Sequence, residues 1–207
     1  MMLSKTSLGE TSLKNEWEAD RYGPEVWDAE MKVREKPSET HKELESLAYK
    51  GSALAAYRLG CVFAAGKIPS ENPIEDAIVW LRQASDAGQM SAAYALCHYL
   101  IQIGEYEEAV ARLETLASQG LGAAYFRLGH HFLTSDLSPS GEKRAKAEFG
   151  KGASADHLPS AIWYHAMSAK RAPTLANKVN HVVRRALVTV KFARMRLFDR
   201  HNPRAQL

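Results

Sequence analysis

Apolar positions along this chain follow a pattern that returns. From Gly51 to Gly88 the sequence reads GSALAAYRLGCVFAAGKIPSENPIEDAIVWLRQASDAG. Its first half recurs as GQMSAAYALCHYL from Gly88 and as GLGAAYFRLGHHFL from Gly120, with a weaker copy, HLPSAIWYHAMSA, from His157. Starts at 51, 88, 120 and 157 give spacings of 37, 32 and 37 residues. Self-similarity at such periods marks stacked supersecondary units. Within the copies, Ala55, Ala92, Ala124 and Ala161 share one column, and Leu59, Leu96 and Leu128 fill the next. Gly60 and Gly129 follow, with Cys97 and Ala166 in their column, and Phe63, Leu100 and Phe132 complete the stripe. Offsets of four and eight residues place these on one helix face. The small residues let a second helix come close. Nothing alternates with period two, so no strand is expected.

Each repeat reads as two helices. In the first, helix A spans about 52–65 and Gly66 ends it. Asn72-Pro73-Ile74-Glu75 then opens helix B, with asparagine at the cap and proline at the first helical position. Helix B carries Ala77, Trp80, Leu81 and Ala84 at helical spacing. The expected organisation is a mobile arm over 1–22, N-terminal helices over 23–50, repeats over 51–172 (51–87, 88–119, 120–156 and 157–172), and a basic helix and tail over 173–207. In the second region Gly23-Pro24 opens a helix that runs through Glu35. Pro37 stops it, and Thr40-His41-Lys42-Glu43 resembles a capping box for the next.

The pattern Ala-x-x-x-Leu-Gly-x-x-Phe, followed by Ala77-x-x-Trp80-x-x-x-Ala84-x-x-x-Gly88, resembles the Sel-one-like repeat, a relative of the tetratricopeptide repeat. The resemblance covers about residues 40 to 170. It departs from the family pattern at Cys97, where glycine is expected, and at His165, where leucine is expected. It implies an all-α fold, an α-solenoid in which antiparallel helix pairs form a right-handed superhelix. Members of the family, often bacterial, mostly serve as adaptors in protein complexes.

Composition adds limits. The 207 residues are 45% hydrophobic and 25% charged, ordinary for a globular domain. Two cysteines exclude a disulfide scaffold and supply no zinc-finger spacing. The first residues show no signal peptide, and no stretch approaches the roughly 20 apolar residues of a membrane span. A cytoplasmic protein is expected. The net charge of +3 conceals a split. From Lys170 onward ten Lys/Arg stand against Asp199 alone, giving +9, while the remainder carries 17 basic and 23 acidic residues, giving −6.

Catalytic signatures are absent: no P-loop, dinucleotide fingerprint, nucleophile elbow or HExxH. No enzyme activity and no cofactor are expected. Paired carboxylates such as Glu107-Glu108 read as a solvated helix face. His98, His130 and His131 invite a metal, but equivalent residues of stacked repeats lie roughly 10 Å apart, too far for bonds of about 2.0 Å to one ion. Two surfaces remain. On helix A, Tyr57, Tyr94, Phe126 and Trp163 are equivalent, and His98 and His130 stand four residues after Tyr94 and Phe126. In tetratricopeptide-like folds such columns line a concave groove, so these six residues are the expected seat of a partner protein or peptide. The alternative is that the rings fill space between repeats.

The second surface is the C-terminal helix. Val179, Val182, Val183, Ala186, Leu187, Val190, Ala193 and Leu197 recur at offsets of three and four, and this stripe is expected to pack on the last repeat. The other side carries Val188, Phe192 and Met195 among Arg184, Arg185, Lys191 and Arg196, and Arg200 and Arg204 follow. Three roles stay open for that basic side. It docks an acidic partner or self-associates, it is a solvated cap, or it meets anionic lipid or nucleic acid. No nucleic-acid-reading motif is present.

Overall fold

A computed structural model of the chain describes residues 19–35 and 37–198. Among the described residues there are ten helices and no strand. They are α1 (Gly23–Glu35), α2 (Pro37–Tyr49), α3 (Ala53–Ala64), α4 (Pro73–Asp86), α5 (Met90–Ile103), α6 (Tyr106–Ser118), α7 (Gly122–Ser135), α8 (Pro139–Ser154), α9 (Leu158–Lys170) and α10 (Leu175–Phe198). The all-α class and the paired-helix repeats follow from this order. The helices form two compact units, an N-terminal one ending at Arg112 and a C-terminal one beginning at Leu113.

In the N-terminal unit α1 packs on α2 and α2 on α3, then α3 on α4 and α4 on α5. Val26, Leu44, Leu54, Leu59, Leu81, Leu96 and Leu100 are its buried aliphatic core. Gly60 sets the distance between α3 and α4. A Cβ there would stand 2.6 Å from Leu81 Cγ and 3.1 Å from the Ala77 carbonyl oxygen, well inside contact distance. The column that reads Leu-Gly in sequence is thus a slot for helix B. Removing it by overpacking costs about 1–3 kcal/mol.

In the C-terminal unit α7 packs on α8, α8 on α9, and α9 on α10. Gly129 is the equivalent slot, and a Cβ there would lie 2.6 Å from Phe149 Cε1. The occupant is a ring in place of an isobutyl group, and it shapes everything around it.

Helix ends obey local rules. Gly51, Gly88 and Gly120 follow α2, α4 and α6 with φ of 97°, 89° and 92°, the left-handed conformation that suits glycine. Each closes its helix with two backbone bonds, for example Gly88 N–H to Ser85 O at 2.9 Å and Gln89 N–H to Ala84 O at 3.1 Å.

Three local expectations change. Pro37 opens α2 as well as ending α1, since its missing N–H is harmless at a helix start; α2 therefore begins before Thr40. The Asn72 side chain makes no cap bond to α4. Ser70 donates to the Asp76 carboxylate there, and the Asn72 N–H donates to Ser70 Oγ at 3.0 Å. The expected arm over 1–22 lies mostly outside the described residues, but Asp20 is firmly held. Its Oδ2 accepts from Ser52 Oγ at 2.9 Å and from the Leu54 N–H at 3.0 Å, while Ser52 Oγ accepts from the Ala55 N–H. A carboxylate on the first N–H groups of α3 satisfies donors that helix geometry leaves open and complements the helix dipole.

Candidate functional site

The C-terminal unit gathers three of the six expected groove residues, although α9 stands one residue out of the expected register. His157 takes the N-cap place of Ser52, Gln89 and Leu121, so Ser160 and not Ala161 shares the column of Ala55, and Ile162 and not Trp163 shares that of Tyr57. Phe149 projects from α8 into the slot at Gly129 and is fully buried. Trp163 of α9 stacks on it at 5.6 Å between ring centroids, with 25° between planes. His130 of α7 meets Trp163 edge-on at 4.8 Å and Phe126 edge-on at 4.8 Å. Phe126 also lies 5.8 Å from Phe149 and 5.7 Å from His157. Such aromatic pairs contribute about 0.5–1.5 kcal/mol each beyond area burial. Phe126 and His130 are half-buried, and Trp163 remains 38% exposed. The sequence reading missed Phe149, which organises the cluster. A signal existed: Phe149 occupies the helix-B column of Leu81, opposite the glycine of helix A.

Burial lowers the pKa of His130, and the charge of Arg127 lowers it further. The imidazole is therefore neutral near pH 7 and joins the cluster as an uncharged ring. His131, the next residue, belongs elsewhere. It lies edge-on to Phe132 at 5.6 Å, and burial with the nearby Arg144 lowers its pKa. The Arg144 guanidinium caps the Phe132 ring at 4.0 Å. Among the described residues no three His, Cys, Asp or Glu side chains gather as a metal-ligand set.

The N-terminal unit holds the other three. Tyr57 on α3 and Tyr94 on α5 are half-buried, and His98 is exposed, edge-on to Tyr99 at 5.0 Å. The Arg58 guanidinium lies 5.5 Å from the Tyr57 ring. Glu108 is more than a solvated helix face. It takes a two-pronged bond from Arg82, at 2.7 and 3.0 Å, and a third from Arg112 Nε at 2.7 Å. Partial burial raises its pKa, but the bonds and charges of Arg112 and Arg82 prevail and hold it below the usual carboxylate range. This bridges α4 to α6 and is structural.

The C-terminal helix reverses the expected faces. His181, Val188, Phe192 and Met195 are half-buried on the side toward α9, and His181 Nδ1 stands 3.3 Å from His165 Nδ1. The valine and leucine stripe that was expected to pack is the outward one: Val179, Val182, Val183, Leu187 and Val190 are 50% to 67% exposed. Both faces are apolar, so periodicity alone could not choose between them. The face bearing the larger Phe and Met side chains, which fill more space against α9, is the one that packs. Phe192 is thus no part of an open basic surface. Arg184, Arg185 and Lys191 are exposed; Arg200 and the Arg196 side chain lie outside the described residues.

Comparison with known proteins places the fold. No family model and no curated protein matches the sequence. Among solved structures, a Sel1 repeat protein from Oxalobacter formigenes superimposes with a TM-score of 0.62 at 17% identity, over 87% of this chain and 82% of that one. The chain has a Sel1-like repeat fold. Two further structures are more distant. The antigen c5321 of uropathogenic Escherichia coli, displaying an SLR fold, covers 80% of this chain and 38% of its own at 18% identity, with a TM-score of 0.47. The immunity protein Pa5087 from Pseudomonas aeruginosa covers 80% and 82% at 12% identity, with a TM-score of 0.43. The fold assignment rests on the first. It agrees with the Sel1-like columns read from Ala55, Leu59, Gly60 and Phe63.

Proposed function

We propose that this Sel1-like repeat chain is a non-enzymatic adaptor that holds a partner protein or peptide through the A helices of its repeats. The residues in contact would be Tyr57, Tyr94 and His98 in the N-terminal unit and Phe126, His130 and Trp163 in the C-terminal unit. The observation that carries this reading is Trp163. A tryptophan 38% exposed yet stacked on buried Phe149 and pinned edge-on by His130 is held in one orientation before any partner arrives. Pre-ordered aromatic anchors lose little side-chain entropy on binding, which is why they recur as interface hot spots. An adaptor suits the absence of catalytic motifs.

The test is capture from lysate of the producing organism on immobilised chain, beside a variant carrying Trp163→Ala with His98→Ala. Both positions are exposed enough to change without emptying the core. The expected result is one dominant protein held by the parent and reduced about tenfold or more by the variant, with a cooperative helical melt retained. Equal capture by both chains would remove the aromatic surface as the binding site.

A further inference from the structure

The outward face of α10 is a second, separate feature, independent of the aromatic surface. Val179, Val183, Ala186, Val190 and Ala193 follow one another at steps of four, three, four and three residues, and all are exposed. Steps of that kind keep one seam of a helix facing a neighbouring helix over several turns. Alanine at alternate seam positions lets the neighbour's backbone come close, while Val182 and Leu187, 53% and 66% exposed, widen the apolar strip on its sides. α8 is covered by both α7 and α9, whereas α10 packs chiefly on α9 among the described elements.

Charge selects the occupant. α10 carries Lys178, Arg184, Arg185, Lys191, Arg194 and Arg196 and no acidic residue. A second copy of α10 laid on this seam would bring like charges together with nothing to offset them. A membrane surface is also attractive to basic helices, but interfacial helices bury Trp, Phe or Leu, and this strip offers Leu187 alone among valines and alanines, with Phe192 on the half-buried side. The seam, its small residues and the unopposed positive charge fit a helix of complementary pattern. We infer that the outward face of α10 receives an acidic amphipathic helix from a partner protein, packed along Val179, Val183, Ala186 and Val190 with its carboxylates toward Arg194 beside the seam and toward the long side chain of Lys178 beyond it.

The test uses the full chain and a synthetic 21-residue helical peptide with an aliphatic heptad seam and Glu flanks, labelled for fluorescence anisotropy. A second peptide has the same seam with Lys flanks. Vesicles of phosphatidylserine and phosphatidylcholine are the third probe. The expected result is saturable binding of the Glu peptide alone, weakened by added salt, and weakened about tenfold or more by Val183→Ser with Val190→Ser. Those substitutions lie on the outward face and leave the α9 contact alone, and an unchanged circular dichroism melt checks this. Arg194→Glu with Lys178→Glu should weaken the Glu peptide and admit the Lys peptide. Absence of Glu-peptide binding would overturn the inference. So would vesicle binding, or concentration-dependent dimerisation, that disappears in the serine variant, because each assigns the seam to a different occupant.

Discussion

The two units use the same repeat and reach different interiors. In the N-terminal unit the glycine slot at Gly60 receives Leu81, in a core whose fully buried side chains are aliphatic and whose rings, Phe63 and Trp80, lie at its edge. In the C-terminal unit the slot at Gly129 receives Phe149, and around that ring gather Phe126, His130 and Trp163. A flat ring leaves edges and faces that further rings cover, and one of them, Trp163, stays partly open. A ring in the helix-B column thus accompanies a half-open aromatic surface, where leucine accompanies a sealed core. The polar chemistry differs too. The N-terminal unit invests in the carboxylate of Glu108 between two arginines, while the C-terminal unit encloses histidines whose burial favours the neutral form.

The sharpest way to break this comparison is to empty both slots. Phe149→Ala should cost about 3–5 kcal/mol and Leu81→Ala about 2–5 kcal/mol in urea unfolding, since both side chains are fully buried. Stability alone does not separate them, but tryptophan emission does. In a chain whose other three tryptophans, Trp17, Trp27 and Trp80, are replaced by phenylalanine, Phe149→Ala removes the ring under Trp163 and should shift its emission to the red before unfolding begins, whereas Leu81→Ala should leave Trp163 as it was. An unchanged spectrum in Phe149→Ala would mean that Trp163 is not held by the stack.

A smaller effect sharpens the comparison through pH. Glu108 has a lowered pKa, so its contribution is present above the unfolded carboxylate range near 4.5 and is lost as pH falls below it. His130, His131 and His165 have pKa values lowered from 6.5, chiefly by burial, with His181 and Arg184 adding to the effect at His165. For these groups the unfolded chain takes up protons first. Stability is undiminished above about 6.5 and declines as pH falls from there toward their folded values. Hydrogen exchange of the full chain between pH 7 and 5, corrected for intrinsic rates, should show protection falling in 122–170 while 53–103 holds. His130→Phe with His165→Gln should reduce that response to the part due to His131. Glu108→Gln should leave it intact and lower stability at pH 7 by about 1 kcal/mol, the modest value suited to a half-exposed network.

How much of this was legible in the sequence depends on the kind of residue. The Ala, Leu and Gly columns specify helix pairing because their steric demand is local and repeats, and the Sel1-like fold follows from them. The gathering of Phe126, His130 and Trp163 was half legible: Phe126 and His130 share a face by helical period, but Trp163 stands one residue out of the expected register, since His157 caps α9 as Leu121 caps α7, and the ring beneath them comes from another helix at a column otherwise filled by leucine. The face of α10 was not legible. Two apolar strips on opposite sides of one helix satisfy the same periodicity, and only the shape and size of what α9 offers decide which one packs. Asp20 was lost for another reason, since a single carboxylate 32 residues from its partner Ser52 has no pattern to announce it.

The smallest effect concerns the end of α8, where the repeats differ by one residue. Gly51, Gly88 and Gly120 end the earlier helices of this kind with φ near 90°, while the fourth such position is Asp156 at φ 61°. Its backbone bonds are of the same kind: the Asp156 N–H reaches Ala153 O at 3.2 Å and the His157 N–H reaches Gly152 O at 3.0 Å. An L-residue in this conformation carries a steric cost of about 1–2 kcal/mol, less for aspartate, which tolerates it better than most. Glycine removes that cost but is more disordered when unfolded, which returns roughly 0.4–1 kcal/mol. Asp156→Gly should therefore raise stability by no more than about 0.5 kcal/mol in urea melts. A clear loss of stability would mean that the Asp156 side chain makes contacts worth more than the relieved strain. The departure from the repeat would then be a feature of the C-terminal unit on the same footing as Phe149, since His157, which directly follows it, accepts from the Ser160 N–H to start α9 and borders Phe126.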